Sequence, residues 1–433
     1  MVNNIMERRP DSFWSCLVCA ASVLSILIAT GGPYAFGLLL PPLMDEFNAN
    51  RQETAWVGSL NTACGYILNP FSVHVTNRFG FRATAILGSV ASLIGIGLAS
   101  FSAQLWMMYP TYGFLTGFGS TTIYSTSMLV VLKYFVKWRS VAVGLVASAT
   151  SVSAFAMTQF VQALLSAFGW RWAMRGIAGL FLMCGLCSAL YLPVNKAKES
   201  DEQTLDRIGT DKKKDNEPHV LKNHRFLVFC SANTIVMFGY LIPVMHIIKH
   251  CKQELQIPEH KSFILFTYLA GASVISRLAF CTLGDFQCVS RFFLYQVSVV
   301  IYGICVLLLP FVKTFNSLVI IFVVFGLMDG GAVGQFSLLV IGCVGQRKVN
   351  QGWGYAMFSV GFGVGTGPPL AGFMADESGS YAVAFYLSGV VLIAGAAITL
   401  LMKFVKQPDV TEGPEEVKAQ EMGILIVEKV TVL

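Results

Sequence analysis

The stretch NRFGFRATAILGSVASLIGIGLASF, residues 77–101, decides the fold class. From Ala83 to Phe101 it carries no charged residue. A bilayer core about 30 Å thick takes roughly 20 apolar residues as one helix. A helix is required there because backbone polar groups in lipid must be satisfied within the segment. The turn before it holds Arg78, Gly80 and Arg82. The glycine permits a tight connection, and the arginines anchor it at the headgroups.

Working outward from this pair, the same pattern recurs along the chain. Runs at 14–40, 55–76, 83–101, 105–132, 141–165 and 172–194 precede a polar stretch, and runs at 226–248, 263–283, 292–312, 318–344, 352–373 and 382–405 follow it. The expected protein is all-α and polytopic, with twelve transmembrane helices in two six-helix halves. The segments are 1–13 (N-terminus), 14–194 (first bundle), 195–224 (central loop), 225–405 (second bundle) and 406–433 (tail). Composition agrees: of 433 residues 55% are hydrophobic and only 12% charged, about half the charge of a soluble protein. A disordered chain or a soluble enzyme of ordinary composition is excluded. The formal charge of +6 is read as orientation, not nucleic-acid binding.

Short connections carrying Arg8 and Arg9, Arg78 and Arg82, Lys137 and Arg139, Arg291, and Arg347 and Lys348 are basic, while an alternate one carries Asp45 and Glu46. The positive-inside rule then places both termini and the central Lys212 to Lys214 in the cytoplasm. The turn with Lys249, Lys252 and Lys261 is the one count against it. Residues 1–11 lack a cleavable signal pattern, so the first span is expected to remain. A shift of roughly 208 residues lays the Asn77 to Gly80 turn on the one around Asp285, and Lys137 to Arg139 with Gly144 on Gly345 to Arg347 with Gly352.

Several motifs carry a resemblance. They are Asp11 with Trp14; Tyr134-Phe135-Val136-Lys137-Trp138-Arg139 followed by Ala142 and Gly144; Phe168-Gly169-Trp170-Arg171; and Gly367-Pro368-Pro369-Leu370-Ala371-Gly372 with Asp376 and Gly379-Ser380-Tyr381. Together they resemble the monocarboxylate transporter family of the major facilitator superfamily, over nearly the whole chain except the central loop and tail. The resemblance implies the major facilitator fold and a secondary transporter working by alternating access, with a small organic anion held between the halves near the midplane. It implies residence in the plasma membrane and, for some members, a single-span ancillary membrane protein as partner. No enzyme activity and no cofactor are expected.

Candidate site residues follow from burial cost. Arg277 lies well inside a span, where an arginine costs roughly 2.5–3.5 kcal/mol on insertion scales. A guanidinium facing a cavity is the natural fork for a carboxylate, and the resemblance assigns an arginine here to the substrate carboxylate. Asp329 is the only acid deep in a span. It reads either as a proton or cation site or as the counter-charge of Arg277. The resemblance makes Tyr34 a substrate contact, with packing as the alternative. Asn61, Thr62, Asn69 and Ser359 could hydrogen-bond substrate or join helices. Arg78, Arg139 and Asp285, at the turns the repeat superimposes, are gating candidates. Gly31-Gly32-Pro33 and the glycines before Pro368-Pro369 read either as helix interruptions beside a cavity or as close packing faces.

Other chemistries fall away. Cys16 with Cys19, and Cys184 with Cys187, share helix faces, but no histidine or acid accompanies them, so no metal site is expected. His74 and His246 read as satisfied or interfacial histidines. Proton-coupled members of the resembled family carry a lysine and an aspartate where this chain has Leu38 and Ser273, neither of which titrates near pH 7. The expectation is facilitated diffusion or exchange. A carrier of larger amino-acid-like or zwitterionic solutes, and a sensor that binds without transport, stay open.

Overall fold

The computed structural model describes residues 10–192, 220–286 and 289–403, which contain helices and no strand. The expected central-loop lysines Lys212 to Lys214 and the tail lie outside the described residues. In the first segment α1 spans Phe13–Phe47, α2 Arg51–Ile67, α3 Asn69–Ala99, α4 Gly117–Tyr134, α5 Arg139–Phe168 and α6 Trp170–Ser188. In the second, α7 spans His224–Tyr240, α8 Ile242–Gln253, α9 Glu259–Leu283, α10 Arg291–Leu308, α11 Phe315–Ser378 and α12 Ala382–Leu400.

Among the described residues nine helical stretches are long and apolar enough to cross a membrane. Two of them bend back on themselves. A straight α11 of 64 residues would run about 96 Å, some three times a hydrocarbon core. At Gly345 the backbone takes φ 74° and ψ 166°, and at Gly80 in α3 it takes φ 83° and ψ 169°. Only glycine enters that region at low cost, so each residue folds two helices together without an intervening loop. Pro70 and Pro243, at the starts of α3 and α8, mark the opposite case: a short α2 leads directly into α3, and α7 into α8.

Packing is that of a protein in lipid. On α3 the residues Leu87, Val90, Ile94 and Leu98 form an exposed apolar stripe, while Gly88, Ser89, Ser92 and Gly95 are buried. Large side chains face out and small ones face in, which in water would be a large exposed patch and in a bilayer is a solvated face. A Cβ on Gly88 would lie 2.9 Å from the Gly119 carbonyl oxygen, so α3 and α4 touch at backbone distance.

Before α4, residues Tyr109–Thr116 form a π-helical stretch. The Asn61 side chain donates to the Tyr112 carbonyl at 2.8 Å, supplying a donor where the wider turn displaces the ordinary one. Of the two readings of Gly31-Gly32-Pro33 the structure shows the packing face and not the interruption, since α1 runs unbroken to Phe47. A Cβ on Gly31 would fall 2.0 Å from the Met157 side chain, and the Tyr112 hydroxyl donates to the Gly32 carbonyl at 3.3 Å. Close packing against α5 holds the helix straight past its proline, and the Tyr112 contact ties α1 to the π-helical stretch. Likewise α11 continues through Pro368 and Pro369, with Gly367 pressed against the Phe238 backbone of α7.

The turns bearing Arg78, Arg139, Arg291 and Arg347 gather at one end, here the basic end. One apolar core crosses both segments, containing Val143 and Leu129 from the first and Phe336 and Trp353 from the second. A second core, with Leu39, Val57, Met157 and Trp170, belongs to the first segment alone at the other end. The two segments therefore share their core toward the basic end.

Candidate functional site between the two segments

Three helices meet around Arg277. A Cβ on Gly144 of α5 would lie 3.1 Å from the Arg277 carbonyl oxygen, and one on Gly330 of α11 would lie 2.6 Å from its amide nitrogen. Glycine at both places lets α5 and α11 close on α9 from two sides. Larger residues would hold the guanidinium away from its partners.

The partners come from both segments. Arg277 Nη2 donates to Asp329 Oδ2 at 2.8 Å, while Nη1 donates to the Ala147 carbonyl and the Thr150 hydroxyl of α5. The Ser273 hydroxyl, one turn before the arginine, donates to the same Asp329 oxygen and lies 3.0 Å from the Ser151 hydroxyl. Arg277 is 5% exposed and Asp329 7%, so both charges are withdrawn from water. Such a pair is tolerable only when attraction and hydrogen bonds offset desolvation, and losing one member strands the other. The arrangement offers a ligand one cation, one anion and three hydroxyls.

The other sequence candidates occupy distinct places. Asn69 donates to the Ser125 hydroxyl at 2.6 Å, joining α3 to α4, as Asn61 joins α2 to the π-helical stretch. Thr62 donates at 3.4 Å to Gly58 of its own helix, and Ser359 at 2.7 Å to Ala356 of its own. The Ser359 carbonyl accepts from Thr234 of α7 at 3.1 Å. Tyr34 lies within α1, with its side chain outside the described residues. His246 is hydrogen-bonded at 3.1 Å to the Pro368 carbonyl and stacks on Tyr381, and His74 is exposed.

At the basic end Asp285 accepts from Arg291 at 2.5 Å and from Ser140 of α5 at 2.6 Å, so the acid ties the second segment to the first. Gln346 donates to the Leu132 carbonyl at 3.0 Å, and Asn350 to the Asn77 side chain at 2.7 Å. Arg139 Nε donates to the Phe135 carbonyl at 3.0 Å, and exposed Arg78 lies over the Phe79 ring. Asp11 accepts from the amides of Val136, Lys137 and Trp138 at 3.2, 2.9 and 3.3 Å, closing the turn before α5. Sequence reasoning did not reach the roles of Ser140, Thr150, Ser151 and Asn350. No charge or motif marks them, and only the fold brings them across from the opposite segment.

Comparison with known proteins adds a second line. The description Major Facilitator Superfamily matches residues 22–280 and 225–430. Monocarboxylate transporter 10 of Rattus norvegicus is 26% identical over 429 residues, covering 95% of this chain and 83% of the relative. Monocarboxylate transporter 4 of Mus musculus is 28% identical, covering 96% and 89%. Monocarboxylate transporter 2 of Homo sapiens is 26% identical, covering 91% and 86%.

Proposed function

Since this chain belongs to the major facilitator superfamily, as a divergent member of its monocarboxylate transporter family, we propose that it carries small organic monocarboxylates or related anions across the plasma membrane by alternating access. The observation that carries this reading is Arg277: a guanidinium buried where the two segments meet and hydrogen-bonded to both. Alternating access rocks one half against the other around a fixed site. A residue bonded across the boundary must change partners in that motion, and a substrate carboxylate is a partner of matching geometry.

In this reading the helices form twelve spans in two six-helix bundles. Dividing α3 at Gly80 and α11 at Gly345 separates two pairs of spans, while α2 with the start of α3, and α7 with α8, each make one. Both termini and the basic end face the cytoplasm by the positive-inside rule, and the shared core at that end makes this the state closed to the cytoplasm. Tyr34, Thr62 and Ser359 are further substrate contacts; Asp285 with Arg291 and Ser140 forms the cytoplasmic gate. Transport is facilitative or by exchange.

A second reading is favoured by one observation: Asp329 already pairs with Arg277. A zwitterionic, amino-acid-like solute would meet both charges at once, its carboxylate replacing Asp329 on the arginine and its ammonium facing the acid. Uptake into reconstituted vesicles, competed by a panel of monocarboxylates against zwitterionic amino acids, separates the two. Inhibition by carboxylates alone supports the first reading, by zwitterions alone the second, and absence of any flux overturns both.

A further inference from the structure

At the basic end, away from Arg277, lies a cavity of about 280 Å³ lined by Lys137, Arg139 and Ser140 from the first segment and by Asp285, Arg291 and Leu338 from the second. Among the described lining residues three cations face one acid, an excess of positive charge. Arg291 holds both Ser140, at 3.1 Å, and Asp285, and its Nε donates to the Gly284 carbonyl at 3.2 Å. The guanidinium is thereby fixed in the wall of the cavity. The volume falls just below the usual range for a drug-sized ligand and suits a compact charged group.

The surroundings indicate which anion. Trp138, between the lining residues Lys137 and Arg139 in the chain, is 56% exposed, as an interfacial aromatic would be. Val141, Leu145 and Val152, four and seven residues apart along α5, present one exposed apolar face leading away from the cavity. A free anion would have no use for that track, whereas acyl chains would lie along it. Basic pockets between spans at a membrane surface are where anionic headgroups bind.

We propose that this cavity binds the phosphate of an anionic phospholipid, held by Lys137, Arg139 and Arg291 with its chains along the Val141 face of α5. The cavity has walls from both segments, so it exists only while they meet at this end. A lipid bound there favours that arrangement by linkage. The site is separate from the one at Arg277 and does not rest on the substrate assigned there.

The full-length protein is placed in nanodiscs of phosphatidylcholine containing a minor fraction of phosphatidylglycerol, which present the same lipids to both faces, and the lipids it retains are read by native mass spectrometry. Phosphatidylglycerol should be enriched over its bulk fraction, and Lys137→Gln and Arg139→Gln should each lower that enrichment about fivefold. Thermal stability of the wild type in detergent supplies a reading independent of the variants. Phosphatidylglycerol should raise the melting temperature, and phosphatidylcholine should not. Retention in bulk proportion, or enrichment untouched in both folded variants, overturns the proposal. Stabilisation by millimolar inorganic phosphate equal to that by phosphatidylglycerol also overturns it, because the site would then take a soluble anion.

Discussion

Arg277 and Asp329 meet at 2.8 Å with side chains only 7% and 10% exposed, and the arginine reaches across to α5 while the acid stays on α11. The pair is at once an internal counter-charge and a point where the two segments are bonded together. Its two roles can be separated by mutation.

Arg277→Ala and Asp329→Ala should each cost about 3–5 kcal/mol, because each strands one buried charge. The double variant removes both charges and should recover most of that stability. Uptake should be lost in Arg277→Ala and remain lost in the double variant, since the proposed carboxylate substrate would then have no fork. Melting temperature and vesicle uptake are measured together on all three. A double variant that is stable and transports normally would make the pair purely structural.

Energy coupling follows from the same contacts. Leu38 carries no charge, and Ser273 spends its hydroxyl on Asp329. Asp329, the acid that remains, is itself bonded to Arg277 and Ser273. An imposed inward proton gradient should therefore not drive substrate above equilibrium in vesicles loaded with buffer alone. Strong accumulation that Asp329→Asn eliminates would show Asp329 to be the coupling group.

The sequence exposed costs more readily than their remedies. A charge in an apolar run announces that something must offset it, so Arg277 and Asp329 were legible, as was a bend at Gly80 between two arginines. Ala147, Thr150 and Ser151 were not, because a backbone carbonyl and two hydroxyls carry no pattern until α5 is laid on α9. The same limit left Gly31-Gly32-Pro33 open between an interruption and a packing face. The Met157 and Ser153 side chains that Gly31 packs against lie far along the chain. Asp11 was visible as a motif residue, yet its three amide contacts belong to a turn formed by another helix.

Two glycines test the bend itself. A Cβ at Gly80 would meet nothing within 4 Å, so any harm from Gly80→Ala comes from backbone strain at φ 83° alone. The expected cost is about 1–3 kcal/mol. Gly179, in the middle of α6, also has open space and ordinary helical backbone, so Gly179→Ala should be neutral or stabilising by up to about 1 kcal/mol. Thermal unfolding in detergent compares them, and equal midpoints would refute the strained turn.

Closure at the basic end makes the sharpest prediction. Asn350 Nδ2 lies 2.7 Å from Asn77 Oδ1, joining the turn of α3 to the start of the second arm of α11. If alternating access opens this end, the two residues must part in every cycle. With Asn77→Cys and Asn350→Cys introduced together in a cysteine-depleted background, a short, reducible bifunctional thiol reagent should link them. Uptake should then stop while the link holds and return on reduction, and either single variant should be unaffected by the reagent. Binding of substrate from the opposite face should survive the link, since closing the basic end leaves the other path open. Undiminished uptake by fully linked protein would mean that these segments do not separate during transport, and the proposed cycle would have to be abandoned.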